Sequence, residues 1–531
     1  MSQMLKSSGA LAAATLTSRV LGMVREIVYY AFMGVGMVNG AFTLAFMIPN
    51  LFRRLLGEGA LTASFIPIFK EKERTETEAE MWRAANAVIS GLMAVASIIT
   101  VLAIAGISIA LAAHQYTAKT ELMLHLLRIM FPYMLLICLT AVFMGILNAR
   151  GHFFIPASGA IIMNMVMIGS VYLLAPRMGV TLEKQIFGLA IGVLVAGVAQ
   201  AAFQLPSLRG EGFRYRWVSP WKDATVRRVV RQMIPGTIGI AAFQINVLTT
   251  QSVAFWIDPT IVASFQGAVR LMELPQGVFG VSIATYLLPT LSGLAAEKKY
   301  DEYRSTLNQG IDHLVFINLL ATILLFILAE PIIRLLFEHG KFVPEDTPLV
   351  AWALVCLSPG LIAFSLVNIL ARAFYALGDT KTPMQVSIFC LLINLIFAFV
   401  LIGRYRQGGL GMANSISACL NVSLLFYTLR KKLGKLEFGA LRKMLWPIFV
   451  AGIFAGATAW FTWHKWDKVF GHGGLAHRLG AVFVPMTLAS LVYWAVALLF
   501  KVPPAIELGG LVLNQIPLFP KSKPAKPELK T

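Results

Sequence analysis

Thr17–Glu26, T-S-R-V-L-G-M-V-R-E, and Ile48–Ala60, I-P-N-L-F-R-R-L-L-G-E-G-A, lie in two apolar segments, each long enough to enter a bilayer. A plain membrane anchor would carry leucine where these carry Arg19, Arg25, Arg53 and Arg54. An arginine at the centre of a membrane helix costs roughly 2.5–3.5 kcal/mol on insertion scales, so such residues face a bundle interior or a wet cavity. Several together predict a cavity built to hold negative charge. The reading that follows is a membrane transporter with an anionic substrate.

Composition agrees. The chain has 531 residues, 57% hydrophobic and only 13% charged, whereas soluble domains run near 25% charged. A formal net charge of +19 raises the question of nucleic acid. The basic residues are, however, dispersed between apolar runs, which suits membrane orientation and contact with anionic lipid instead. Cys138, Cys356, Cys390 and Cys419 all sit inside apolar runs, so no disulfide framework or metal site is expected. His125, His152 and His339 have no ligand spacing, and no cofactor is expected. Lys6 and the apolar run after it imitate a secretory leader, but that run is short and leads straight into Arg19 and Arg25. It reads as the first span.

Windows of about twenty apolar residues give fourteen spans, near 8–33, 38–57, 84–113, 121–148, 154–175, 186–206, 228–256, 261–292, 307–330, 348–376, 384–403, 409–429, 445–463 and 479–500. The first, seventh and eighth are long and interrupted, as cavity-lining helices often are. Residues 70–83, K-E-K-E-R-T-E-T-E-A-E-M-W-R, read as a charged interfacial or solvated helix. The tail from Lys521 is rich in lysine and proline and reads as disordered. An even number of spans puts both termini on one side. The connections on that side carry 29 lysines and arginines against 10 on the other, with six inside spans. The positive-inside rule then places both termini in the cytoplasm.

The chain also repeats itself. Ile146–Ala157, I-L-N-A-R-G-H-F-F-I-P-A, matches Ala373–Met384, A-F-Y-A-L-G-D-T-K-T-P-M, with Gly151 answering Gly378 and Pro156 answering Pro383. The arginine segment L-F-R-R-L-L-G-E-G-A likewise echoes V-R-L-M-E-L-P-Q-G, which carries Arg270. Both offsets are six spans, an even number, so the halves run in the same direction across the membrane. The fold expected is an all-α polytopic membrane protein. It has two six-helix lobes, 1–208 and 228–435, related by a parallel pseudo-two-fold around a central cavity. Residues 209–227 form a basic linker, 436–505 hold two further helices, and 506–531 form a basic tail.

Guanidinium groups bind phosphate through a planar bidentate fork, so a diphosphate suits Arg19, Arg25, Arg53 and Arg270. Arg54, Glu58, Glu273 and Asn50 are candidates for supporting roles. A blander reading pairs Arg54 with Glu58 and Arg270 with Glu273 along their own helices. Arg25 and Glu26, being adjacent, are expected not to face one another. With no nucleotide-binding P-loop, energy is expected from an ion gradient, the membrane potential or the substrate's own gradient.

Together S-R-V-L-G-M-V-R-E, P-N-L-F-R-R-L-L-G-E-G-A, R-L-M-E-L-P-Q-G-V-F-G-V and F-Y-A-L-G-D-T-K-T-P resemble the MurJ (MviN) lipid II flippase family, within the superfamily that includes MATE drug exporters. The resemblance spans essentially the whole chain. It implies a non-enzymatic transporter in the bacterial inner membrane that serves peptidoglycan synthesis and cell shape. Its cargo would be the undecaprenyl-diphosphate-linked precursor, moved from the cytoplasmic to the periplasmic leaflet by alternating access. It further implies that the last two helices form a groove for the polyprenyl tail. The family's essential arginines fall on Arg19, Arg25, Arg53 and Arg270, and its glutamate on Glu58. One departure stands out: members often have an aspartate in a D-A-F context at the start of span two, where this chain reads V-N-G-A-F with Asn39 and Gly40.

Three rival readings fit less well. A MATE-like exporter of cationic drugs would want acidic cavity residues, although a flippase for another polyprenyl-linked oligosaccharide stays close in chemistry. A non-transporting scaffold for cell-wall enzymes has no need of intramembrane arginines. An enzyme acting on lipid diphosphates would need a loop-borne acid or metal cluster.

Overall fold

The computed structural model describes residues 2–55, 60–434 and 438–515. Every regular element among them is helical. Up to residue 210 the chain forms α1 (Ser2–Met33), α2 (Met37–Phe52), α3 (Ala60–Thr75), α4 (Glu78–Ala113), α5 (Ala118–Met130), α6 (Tyr133–Ala149), α7 (Phe154–Leu173), the short α8 (Ala175–Met178) and α9 (Leu182–Gly210). Next come α10 (Ala224–Ile257), α11 (Pro259–Pro275), α12 (Val281–Ala296), α13 (Tyr300–Ile327), α14 (Ala329–Phe337), α15 (Asp346–Leu357), α16 (Gly360–Ala376), α17 (Lys381–Tyr405) and α18 (Gln407–Leu433). The chain closes with α19 (Phe438–Phe470), α20 (Leu475–Leu499) and α21 (Pro503–Gln515).

The protein is thus an all-α polytopic membrane protein. Ten described helices are long and apolar enough to cross a bilayer, or twelve when two bent pairs each count as one span. α1, which carries Arg19, Arg25 and Glu26, and α2, only 16 residues long, are not among them. The chain packs as two units. One comprises Met1–Arg270, Leu336–Val350 and Leu391–Leu410; the other comprises Leu271–Leu335, Ala351–Cys390 and Gly411–Thr531.

Within the first unit, α1 lies along α7 and α2 along α5, and α10 packs against α2, α3 and α4. A core of Phe65, Phe69, Trp82, Phe143 and Phe213 holds α3, α4 and α6 together. The charged stretch 70–83 is not one helix. It divides at Glu76–Thr77, where Thr77 caps α4 by accepting from Glu80 N at 3.3 Å. The signal is a T-x-x-E box, in which the threonine satisfies an amide the first helical turn leaves free.

Within the second unit, α13 packs against α12, α16 and α19, and α19 and α20 form a close hairpin. Gly480 makes that approach possible, since a Cβ there would sit 1.9 Å from Trp466 Cζ2. The segment expected to begin a basic tail at 506 instead continues α21. Glu507 docks that helix on α13, with His313 Nε2 3.1 Å and Gln309 Nε2 3.3 Å from its carboxylate. The disordered tail expected from Lys521 lies outside the described residues.

The sequence repeat has matching local geometry. α5 and α6 meet at a 41° bend before Pro132, and α15 and α16 at a 46° bend before Pro359. After each pair comes the same C-cap. Gly151 (φ +87°) donates to Asn148 O and His152 N to Leu147 O; Gly378 (φ +74°) donates to Tyr375 O and Asp379 N to Phe374 O. Both are Schellman caps, whose left-handed residue is almost always glycine because it has no Cβ to clash. The arginine segments match too: the backbone turns π-helical at 53–55 and again at Gln276–Gly280. Such turns are rare, and they concentrate at functional sites.

Candidate functional site

Tyr30 sets the register of the site. Its hydroxyl donates to Ala263 O on α11 at 2.6 Å, and its ring packs against Phe337 and Phe342. It fits beside Gly267, where a Cβ would stand 2.8 Å from the hydroxyl. One turn earlier on α1 comes Glu26, and one turn later on α11 comes Arg270. Their side chains meet, with Arg270 Nε 3.4 Å from Glu26 Oε1. The same oxygen accepts from Arg25 Nη2 at 2.5 Å.

The expectation that Arg25 and Glu26 cannot face one another is therefore overturned. Adjacent Cβ atoms do point apart on a helix, but an arginine side chain is long enough to fold back across the gap. Glu26 thereby becomes the acid shared by two of the predicted substrate arginines.

Arg25 is held from its other side by Asn164 on α7. Arg25 Nη1 donates to Asn164 Oδ1 at 3.1 Å, and Asn164 Nδ2 donates back to Ser18 O at 3.2 Å. The guanidinium also lies 5.6 Å from the centre of the Tyr29 ring. Side-chain exposure is 14% for Arg25 and 15% for Glu26, against 39% for Arg270. Arg25 Nε and the Tyr29 hydroxyl are buried and make no hydrogen bond. Buried donors of this kind are uncommon.

On α2, Asn50 orients Arg53 by accepting from its Nε at 2.7 Å. Arg54 is exposed, as are Arg19 on α1 and Glu273 on α11. Glu58 lies outside the described residues. The structure thus joins Arg25 to Arg270 through Glu26 and Arg53 to Asn50. It adds Glu26, Asn164 and Tyr30, which the sequence reading did not select. Asn164 did leave a signal, being the one polar side chain in I-I-M-N-M-V-M-I-G.

The departure at Asn39 and Gly40 has a steric explanation. A Cβ on Gly40 would lie 2.3 Å from Pro259 O, at the turn between α10 and α11. No side chain, acidic or otherwise, fits there. Asn39 closes the α1–α2 turn instead, donating to Gly34 O at 2.6 Å and accepting from Thr43 at 3.1 Å.

Among the described residues no group of histidine, cysteine and carboxylate side chains has metal-binding geometry. What is assembled is a partly buried pair of guanidinium groups, Arg25 and Arg270, on the one carboxylate of Glu26, with Asn164 accepting from Arg25.

Comparison with known proteins bears on the role of this group. A sequence profile of the family described as "Lipid II flippase MurJ" matches residues 30–479. A Vibrio cholerae protein described as "Probable lipid II flippase MurJ" is 32% identical over 87% of this chain and 91% of its own length. The Burkholderia cenocepacia "Lipid II flippase MurJ" is 31% identical over 84% and 88%. Among solved structures, "Lipid II flippase MurJ, inward closed conformation" superposes with a TM-score of 0.75 at 22% identity, covering 94% of this chain and 99% of that one. An inward-facing MATE-family multidrug transporter superposes at 0.64 with 16% identity, covering 81% and 98%. These two establish likeness of fold. With the profile covering most of its length, the chain belongs to the lipid II flippase MurJ family.

Proposed function

We propose that this protein flips lipid II across the bacterial plasma membrane and that Arg25, Arg270, Arg53 and Arg19 receive the diphosphate. Asn50 and Glu26 would orient those arginines. The observation that carries the reading is the Arg25–Glu26–Arg270 group with the buried, unused Nε of Arg25 beside it. One carboxylate keeps two guanidinium groups together and leaves the group net positive. A diphosphate brings acceptor oxygens to the idle donors and charge to the excess cation. It favours the conformation that gathers the arginines, because only a ligand with different affinities for two states shifts their balance. Alternating access follows if that conformation exchanges with one open to the other leaflet.

The recurring proline bends, glycine caps and π turns support lobes at 1–208 and 228–435 joined by 209–227. The α19–α20 hairpin suits the role of a support for the polyprenyl tail. The distribution of lysine and arginine supports cytoplasmic termini, and an ion gradient or the membrane potential would supply energy. Transport without covalent chemistry is the role this arrangement serves.

The deciding experiment makes this chain the only flippase in a bacterium and then depletes it. Lipid-linked precursor should accumulate in the cytoplasmic leaflet, and Arg25→Ala and Arg270→Ala should each reproduce that accumulation. Precursor that still reaches the outer leaflet at the normal rate would rule the reading out.

A further inference from the structure

Between α9 and α10 the chain crosses Phe213–Lys222, F-R-Y-R-W-V-S-P-W-K, without helical structure. This segment is strapped to α4. Phe213 is buried against Trp82 and Phe143, with ring centres 5.6 and 5.9 Å away. Asn86 Nδ2 donates to Arg214 O at 3.0 Å, and Ser90 Oγ lies 3.2 Å from the Tyr215 hydroxyl. Val218 N donates to Ser90 Oγ at 3.3 Å. Pro220 is buried against Gly91, where an added Cβ would stand 3.1 Å from the proline's own.

With the backbone tied down, the basic and tryptophan side chains left outward are Arg214, Arg216, Trp217, Trp221 and Lys222. Trp217 is 61% exposed and Trp221 67%. The stretch contains no acid. The next residue, Asp223, accepts from Thr225 N and Val226 N at the start of α10.

The strap's depth follows from α4. Exposed apolar side chains begin there at Val95 and continue through Ile98, Val101 and Leu102, a surface suited to acyl chains. Ser90, which anchors the strap, is five residues before Val95, or about 7.5 Å along the axis. The strap therefore lies at the headgroup layer, where tryptophan is favoured and where arginine and lysine meet anionic lipid.

We propose that Phe213–Lys222 is a docking surface for anionic phospholipid headgroups. Arg214, Arg216 and Lys222 pair with the lipid phosphates, and Trp217 and Trp221 sit in the interfacial layer. The inference is independent of the transported substrate, because none of these residues belongs to the arginine group.

The test uses the full chain in nanodiscs of phosphatidylcholine with or without phosphatidylglycerol. Phosphatidylglycerol kept through detergent exchange is counted by mass spectrometry, and tryptophan emission is quenched with bromine-labelled acyl chains. Arg214→Glu combined with Arg216→Glu and Lys222→Glu should lower retention of phosphatidylglycerol over phosphatidylcholine by about tenfold or more. Lysine in place of both arginines should keep it. Trp217→Ala with Trp221→Ala should remove a quenchable part of the emission, a readout that stands even if the charge-reversed protein does not fold. Unchanged retention after charge reversal would overturn the proposal. So would emission from these two tryptophans that brominated lipid does not quench.

Discussion

Glu26 on α1 and Arg270 on α11 meet at 3.4 Å through the same carboxylate oxygen that holds Arg25. The contact depends on Tyr30, whose hydroxyl on Ala263 O fixes how far α1 and α11 are slid past one another. Two cations in a half-buried setting repel unless an acid stands between them. The acid is as much a part of this charged group as the arginines.

Replacing Glu26 should therefore hurt more than its absence from the predicted arginine set suggests. Glu26→Ala leaves two partly buried guanidinium groups without their shared acceptor, at a cost of about 1–3 kcal/mol. Flipping should fall roughly tenfold or more, and Glu26→Asp, with a shorter reach, should recover only part of it. Precursor turnover in cells and melting of the purified protein give the two readouts. Full activity in Glu26→Ala would mean the arginines do not work as a group.

The two Schellman caps offer a matched pair of substitutions. Beyond the adjoining residues of the chain, no atom lies within 4 Å of a Cβ added to Gly151 or to Gly378, so alanine at either position meets no obstacle from the rest of the fold. Only the left-handed backbone resists, at φ +87° and +74°, a strain worth about 1–2 kcal/mol. Gly151→Ala and Gly378→Ala should lower the melting temperature by similar amounts. A large loss at one and none at the other would break the equivalence that the repeat implies.

These turns and the arginines were legible in the sequence for the same reason: both break a local rule. Charge within an apolar run and glycine followed by proline at a fixed offset stand out without any knowledge of what packs where. Glu26 did not stand out, because its importance comes from Arg270, a distant neighbour that only tertiary structure supplies. Adjacent Cβ atoms on a helix diverge, which keeps short side chains apart, but the long Arg25 side chain still reaches Glu26. α21 was missed because P-P-A-I-E-L-G-G-L-V-L-N-Q, with two prolines and two glycines, reads as a poor helix until Glu507 finds its partners on α13. The break at Thr77 was present as a T-x-x-E box and was outweighed by the charge run around it.

Gly40 gives a sharper steric test. Its missing Cβ would lie 2.3 Å from a backbone oxygen, Pro259 O, and 2.7 Å from Pro259 Cβ, neither of which is the far end of a flexible side chain. Gly40→Ala should force α2 away from the α10–α11 turn and cost about 1–3 kcal/mol. Gly40→Asp, which restores the acid often found at this place in the family, should do worse and not better. A stable, active Gly40→Asp protein would show that the turn moves aside easily.

Asp379 supplies a pH-dependent prediction at the edge of the membrane. Lys432 Nζ donates to its Oδ2 at 2.8 Å, and Thr382 donates through its backbone N at 3.0 Å and its hydroxyl at 2.8 Å. These donors, the lysine first, pull the carboxyl down to about 2, from an ordinary value of about 3.9. A carboxyl depressed in the folded state stabilises fully above its unfolded value, and that stabilisation is lost as pH falls toward the folded value. Wild type should therefore be more stable than Asp379→Asn at neutral pH, with the gap closing between pH about 4 and about 2. Other carboxylates titrate in the same range, so the quantity to follow is the difference between the two melting curves. Lys432 is about two-fifths exposed, so salt should narrow the neutral-pH gap as well. A gap that stays constant across that pH range would show that the Lys432 pair adds nothing to the stability of this turn.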